Sequence, residues 1–287
     1  MYEAFYGLKC RPFLMVPDPG FLFWSETHRD GISMLRYGIA SRAPITVLTG
    51  DVGAGKTTLI RHLLDEMPED VTLGLISNMQ RGRGELLHWA MLCLEQEIID
   101  EPYVRTFQRL QDVLVQRYAE GRRVVLIVDE AQNLSVAQLE ELRMLSNINS
   151  ESDELLQIIL VGQPKLRELL RRPELEQFVQ RISSDFHLGR LSLRETRGYI
   201  TRRLEIAGAT QTIFTGRSCD LIYEATQGVP RLVNILCDLC LACGYFDSRR
   251  LVEEDLVREL LTDIGERGIY SQFTPLSDGP KLVRKQS

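Results

Sequence analysis

The chain has 287 residues, of which 44% are hydrophobic and 26% charged, ordinary globular values that exclude a disordered or fibrous polymer. At roughly 150 residues per domain, this length suggests two units or one large domain with an appendage, able to bury a core without disulfides or metal. The 34 Lys and Arg against 40 Asp and Glu leave a net charge of −6, which argues against non-specific nucleic-acid binding by the whole protein and leaves that role to a local basic patch.

In chain order, residues 1–10 lack the apolar run of a signal peptide. Residues 1–43 are rich in aromatics and prolines, among them Phe5, Tyr6, Pro12, Phe13, Pro17, Pro19, Phe21, Phe23 and Trp24. The prolines forbid a long helix at the start, and so many rings imply a packed segment. Ser25 is placed to cap a helix over 26–41. Strands and helices then alternate. Strands are expected at 45–49, 71–77, 124–128, 157–161 and 185–188, and helices at 57–67, 85–99, 104–119, 136–145 and from 164 to 170. The uniformly apolar run at 124–128 has the composition of a strand covered on both faces. Strands separated by helices predict an α/β fold with a largely parallel sheet.

After Leu191 the strand signals stop, and 194–207, 217–226, 231–244 and 253–264 all read as helices. From Gly265 onward the composition is that of a mobile tail. No stretch reaches the ~20 apolar residues of a membrane helix; the richest, 232–246, contains Asp238. Six cysteines without a secretory signal read as reduced thiols. The expectation is a cytoplasmic protein without an integral membrane segment.

Two motifs carry chemistry. Gly50-Asp51-Val52-Gly53-Ala54-Gly55-Lys56-Thr57-Thr58 fits the pattern G-x-x-x-x-G-K-[ST]. Its glycines let successive backbone N–H groups curl around phosphate oxygens, Lys56 reaches the β- and γ-phosphates, and the Thr57 hydroxyl is a ligand for Mg²⁺. The following helix presents its N-terminus to the same anion. The second motif is the apolar strand ending in Asp129-Glu130. Asp129 is placed to hold Mg²⁺ through its water shell, and Glu130 to orient or deprotonate a water attacking the γ-phosphate. The alternative for Glu130 is a carboxylate stabilised at a helix start.

A P-loop, an apolar strand ending in Asp-Glu and a separate helical unit resemble the AAA+ ATPases. The chain is more specifically similar to the ATPase domain of the general secretion pathway protein A (ExeA/GspA) type, including its shorter pilus- and exopolysaccharide-associated relatives. The matching residues are Phe5-Tyr-Gly-Leu8, Arg11-Pro-Phe13, Pro17-Asp-Pro19, His28-Arg29, Asp129-Glu-Ala-Gln-Asn-Leu134, Leu160-Val-Gly-Gln-Pro164, Arg172-Pro-Glu-Leu175, Gln180-Arg-Ile182 and Gly228-Val-Pro-Arg231. The resemblance implies an α/β P-loop NTPase (AAA+) fold, with a five-stranded, mostly parallel sheet between helices and the P-loop strand at its centre. It implies a nucleotide-binding domain at 1–190, with 1–43 packed on it, a helical lid at 191–265 and a flexible tail at 266–287.

It also implies roles. Gln163 falls where AAA+ proteins place a polar residue that senses the γ-phosphate, although many use Asn there; a strand-end cap is its plainer reading. Arg181 lies where the fold carries an arginine finger into a neighbouring subunit, with Arg172 and Arg190 as other candidates and a structural salt bridge as the plainer reading. Arg231 matches the sensor-2 arginine, behind a proline suited to the first turn of a helix. His28 and Arg29 fall where the family packs against adenine.

Other features point less far. Cys237, Cys240 and Cys243 have the C-x-x-C-x-x-C spacing of a cluster ligand run but lack a fourth cysteine, so they read as small buried residues. His28, His62, His88 and His187 show no ligand spacing. Residues 163–203 hold ten Lys or Arg and five Asp or Glu, read as a subunit interface, a DNA groove or a solvated face. Arg81-Gly-Arg83-Gly reads as a plain loop, with contact to a polymer in a ring's centre as its alternative, and Lys281, Arg284 and Lys285 give a weak signal for an anionic lipid.

The function expected is Mg²⁺-dependent hydrolysis of ATP by a homo-oligomer with shared sites, serving assembly of an envelope secretion, pilus or exopolysaccharide-export system. Its partners would be envelope-assembly proteins at the inner membrane, where the cytoplasmic chain would sit peripherally. Two alternatives stand beside it: a DNA-associated AAA+ ATPase of the transposition-regulator or loader type, and a slow nucleotide-gated adaptor. Many relatives carry a membrane span and a peptidoglycan-binding region after the ATPase domain. Against that pattern, an ending at Ser287 is expected for a shorter soluble member or for part of a longer protein.

Overall fold

Five apolar runs become five parallel strands, β1 (Ile45–Gly50), β2 (Val71–Ile76), β3 (Arg123–Val128), β4 (Leu156–Gly162) and β5 (Ile182–Leu188). This computed structural model describes residues 1–15, 19–21, 23–77, 86–148, 154–267 and 273–274. Pro17 and Asp18, the Arg81-Gly-Arg83-Gly segment, Lys281, Arg284 and Lys285 lie outside the described residues. Contacts divide the chain into a sheet unit, Glu26–Asp51 with Lys56–Gly189, and a helical unit, Met1–Ser25 with Val52–Gly55 and Arg190–Ser287.

In the sheet unit the strand order is β2-β3-β4-β1-β5. The P-loop strand β1 is therefore interior but not central. It pairs with β4 on one side (Val47 opposite Leu160) and with β5 on the other (Val47 opposite Asp185), and β4 takes the middle place. Residues along β1 and β4 are buried throughout, as are all of β3 beyond Arg123. Helices cover both faces of such strands, which is why their side chains are apolar without alternation. The polar residues among them are bonded: Gln157 donates its amide to the Gly38 and Ala43 carbonyls at 3.1 and 3.2 Å, and Thr49 donates to the Phe186 carbonyl at 3.3 Å. The edge strand β5 does alternate in exposure, and it starts three residues before the expected 185. Its weak apolar signal reflects an edge with a single covered face.

The sheet unit's core joins Val47, Leu126 and Leu160 to helix residues such as Leu87, Leu114 and Leu142. One helix stops early. The expected 85–99 is Leu86–Cys93, because Glu95 takes a left-handed φ of 60° and the Gln96 N–H returns to the Met91 carbonyl at 3.0 Å. This is the backbone pattern of a Schellman stop, made without the usual glycine.

The helical unit contains Leu193–Ile206, Gly216–Thr226, Pro230–Phe246 and Glu254–Arg267. Ser192 and Glu195 form a capping box at the first of these. Rings of residues 1–25 belong to this unit's core: Tyr2, Phe13 and Phe21, together with Leu8, are buried with Tyr199, Leu236 and Val257. Arg203 fixes them in place. It is buried, donates to the Pro12 carbonyl at 2.6 Å and to the Tyr199 hydroxyl at 2.6 Å, and lies over the Phe21 ring. By contacts, residues 1–25 fall in the helical unit, where they supply apolar cover to its helices, and the helix Glu26–Ala40 falls in the sheet unit. Cys237 and Cys240 are fully buried in the same core.

Gly228 shows how tightly the helical unit is joined. It has φ +70°, and a Cβ there would lie 1.9 Å from the Leu191 carbonyl oxygen, which belongs to the backbone just before Leu193–Ile206. Gly216 begins its helix with nothing within 4 Å of an added Cβ. Gly228→Ala should therefore lower stability by more than about 2 kcal/mol, whereas Gly216→Ala should be neutral or stabilising by up to about 1 kcal/mol; urea titration of the two variants checks both.

Candidate nucleotide site

The C-terminal ends of the strands gather the polar residues of the sheet unit. β1 ends at Gly50 and runs into the P-loop, and Lys56 opens the helix Lys56–Asp65. Gly53 and Gly55 both have positive φ, 80° and 97°, which lets the loop reverse within a few residues. The Lys56 side chain folds back under the loop and donates to the Gly50 carbonyl at 2.8 Å and the Asp51 carbonyl at 2.9 Å. Burial pushes its ammonium below the usual lysine range, opposed by the charges of Glu130, Asp129 and Asp51.

β3 ends at Val128 and delivers Asp129 and Glu130 to the same edge. The Thr57 hydroxyl donates to the Asp129 carboxylate at 3.5 Å, a long contact that brings the two oxygen-bearing groups side by side. Burial raises the Asp129 carboxyl above its ordinary value; the Glu130 N–H, at 2.8 Å, is the strongest opposing influence. Thr57 and Asp129 are hard oxygen donors of the kind Mg²⁺ takes, so the residues present fit that ion. Ala54 is buried within the loop and Val52 is exposed; Thr58 is half-buried on the helix.

Glu130 has φ 53° and ψ 35°, left-handed backbone that a glutamate adopts at a cost of about 1 kcal/mol or more. The turn Ala131–Asn133 follows immediately. Gln163, at the end of β4, donates its side-chain amide to the Glu130 carboxylate at 3.1 Å. Gln132 donates to the same carboxylate oxygen, and its own carbonyl oxygen accepts the Gln163 N–H at 2.9 Å. Sequence reasoning assigned no role to Gln132. Its signals were its place two residues after Glu130 and within the matched segment Asp129-Glu-Ala-Gln-Asn-Leu134, neither of which names a partner for it. His187 was also passed over: its Nδ1 lies 3.1 Å from the Thr49 hydroxyl beside the P-loop strand, and burial and Arg167 push its imidazole below the usual range.

The structure thus brings Lys56, Thr57, Asp129, Glu130 and Gln163 together. Arg181 is half-buried just before β5 and Arg172 is exposed, neither with an ion-pair partner among the described residues. His28 is buried near the start of Glu26–Ala40 and Arg29 is exposed there. Arg231 and Gly53 both belong to the helical unit. The Arg231 N–H donates to the Gly53 carbonyl at 3.3 Å, and the Arg231 side chain covers the glycine so closely that an added Cβ would lie 2.4 Å from the Arg231 Cβ. Arg190 begins the last segment of that unit.

The profile of an AAA domain matches residues 39–170. General secretion pathway protein A of Aeromonas hydrophila is 37% identical over 263 residues, 89% of this chain and 47% of the relative; the chain spans about half the length of that curated relative. Among solved structures, Drosophila ORC bound to DNA aligns with a TM-score of 0.67 at 16% identity, covering 92% of this chain and 65% of the other. Aeropyrum pernix ORC2, in ADPNP and ADP complexes, aligns with a TM-score of 0.65 at 18% identity, covering 88% and 71%. These two likenesses show the fold alone, a five-stranded parallel sheet between helices with further helices after it, and the AAA description comes from the matched profile.

The glycine at 53 should be intolerant of a side chain. Gly53→Ala should weaken binding of a fluorescent ATP analogue by about tenfold or more, because φ and the Arg231 stem both oppose the methyl group. Gly121→Ala shares the positive φ but has open space around its Cβ, and it should leave the affinity unchanged.

Proposed function

Starting from an AAA+ protein of the general secretion pathway protein A type, we propose that the chain hydrolyses ATP with Mg²⁺ in an oligomer and that turnover serves assembly of an envelope secretion, pilus or exopolysaccharide-export system. The observation that carries the reading is the pair of carboxylates at the end of β3. Asp129 lies against Thr57, and Glu130 is held by Gln163 in a left-handed turn.

Each group has one task. The P-loop N–H groups and Lys56 bind the β- and γ-phosphates, and Arg231 adds charge to them. Thr57 and Asp129 hold Mg²⁺, which when bound supplies positive charge to the phosphate oxygens. Glu130 orients the attacking water and accepts its proton as the water oxygen bonds to the γ-phosphorus and the bond to the β,γ-bridging oxygen breaks. Gln163 reads the γ-phosphate. Arg181 comes from a neighbouring subunit and stabilises the charge on the transferring group. His28 and Arg29 border the adenine.

The secretion role rests on the similarity to General secretion pathway protein A over most of this chain. The partners would be envelope-assembly proteins at the inner membrane. No helix among the described residues is long and apolar enough to cross a membrane. The DNA-associated reading loses part of its support, because several arginines of the stretch 163–203 are engaged within the chain: Arg167 with Asp185, Arg197 with Asp220, Arg202 with Glu205, and Arg203 with the Pro12 carbonyl.

Two variants test the mechanism. Glu130→Gln should bind ATP normally and lose turnover by about 100-fold or more; unchanged turnover would remove Glu130 from the reaction. Arg181→Ala alone should also be inactive. Mixing the two inactive proteins should restore activity, since an Arg181→Ala subunit keeps its glutamate and receives the arginine of its Glu130→Gln neighbour. A mixture as inactive as its components would take the finger role away from Arg181.

A further inference from the structure

We infer that Gln132 is a positioning residue for the reaction, joining the γ-phosphate-reading Gln163 to the water-activating Glu130. The inference rests on the functional reading above and extends it to a residue that reading leaves without a role.

The geometry is a closed ring of hydrogen bonds. One Glu130 carboxylate oxygen accepts from the Gln132 amide and from the Gln163 amide, the latter at 3.1 Å. The Gln132 carbonyl oxygen accepts the Gln163 backbone N–H at 2.9 Å. Both ends of the Gln132 amide are therefore used, and an amide is the side-chain group that offers a donor and an acceptor on one rigid plane. Gln132 is only 8% exposed, so it cannot readily exchange these bonds for water.

Two features keep the ring closed. Gly162 lies directly beneath it, and a Cβ there would come within 2.9 Å of the Gln132 carbonyl oxygen. The short turn Ala131–Asn133 holds Gln132 back toward β4, while the left-handed backbone of Glu130 aims the carboxylate at it. With one carboxylate oxygen fixed by two donors, the other is left to meet water. A displacement of the Gln163 backbone must then pull on Gln132, and through it on Glu130. Occupancy at the end of β4 is thereby linked to the orientation of the base, without a change in phosphate binding.

Gln132→Met keeps the buried volume and removes both bonds. Gln132→Glu keeps the shape and the acceptor for the Gln163 N–H but turns an acceptor toward Glu130. Steady-state ATP turnover, ATP-analogue affinity and thermal melting are measured for each, with Glu130→Gln in parallel. A positioning role predicts that kcat falls by about tenfold or more in both variants, with nucleotide affinity within about twofold and melting within about 3 °C of the parent. A purely structural tie to β4 predicts that Gln132→Glu is close to the parent in turnover. Turnover within about twofold of the parent in either folded variant overturns the inference, as does a parallel fall in affinity and turnover. If Gln132→Met does not fold, Gln132→Glu decides alone. Loss of turnover in Glu130→Gln beside an unaffected Gln132 pair would overturn this inference only, whereas an active Glu130→Gln would overturn the reading of the site itself.

Discussion

Parallel pairing is the constraint on which the site depends. Because all five strands run the same way, their C-terminal ends share one edge, and residues far apart in sequence arrive there together. Gly50 leaves β1, Asp129 follows β3, Gln163 follows β4 and His187 sits near the end of β5. Strands β1, β3 and β4 are buried along nearly their whole length and anchor the groups that follow them, while β5 alternates in exposure. Sheet burial therefore fixes the spacing of the site, and a side chain there needs only a short reach to meet its partner. The pairing of β1 with β4 and of β4 with β3 places the Gln163 amide within 3.1 Å of a carboxylate 33 residues away in sequence.

The same burial sets the electrostatics. Lys56 is driven toward its neutral form and Asp129 toward its protonated form by removal from water. Their charges partly compensate each other, and backbone groups do the rest: the loop carbonyls of Gly50 and Asp51 accept the lysine, and the Glu130 N–H serves the aspartate. Lysine and carboxylates held in a partly desolvated pocket interact more strongly with a phosphate or a divalent cation than they would on an open surface. An anion and a cation binding together are the natural completion of such an arrangement, since each relieves the desolvation of one group.

Much of this was legible in the chain. The P-loop is a local pattern whose residues act through their own backbone, so spacing alone reveals it. The interior strands were legible because cover on both faces demands an unbroken apolar run. Strand order was not, because sequence order does not say which neighbour a strand takes; β1 was expected at the centre and β4 stands there. The early stop of Leu86–Cys93 was hidden because a glutamate fills the left-handed position where a glycine would have signalled it. The destination of the N-terminal aromatics was hidden for a different reason. Rings at Tyr2, Phe13 and Phe21 declare that they will be buried, but their partner depends on Arg203, some 180 residues or more away, whose guanidinium satisfies a backbone carbonyl and stacks on a ring at once. Gln132 stands in the matched segment 129–134 but received no role, because its contacts lie between a turn and a strand end that only the folded chain brings together.

Local preference is overridden at these strand ends as well as at helix ends such as Glu95. Glu130 accepts a left-handed backbone that is unfavourable for a residue with a Cβ. The glycines at 53 and 162 are each pressed by a side chain from elsewhere, Arg231 in one case and Gln132 with Leu166 in the other. A glycine in a phosphate loop is usually explained by its freedom to turn, and Gly53 does have the positive φ that this explanation requires. Gly162 does not; it is a strand residue, and its small size matters because a buried amide lies above it. The two glycines thus answer to different demands, one conformational as well as steric and the other steric alone. Tolerance to substitution at Gly162 is accordingly set by the side chains of Gln132 and Leu166 together, and the amide at 132 is the group that donates to Glu130 while accepting from the Gln163 backbone.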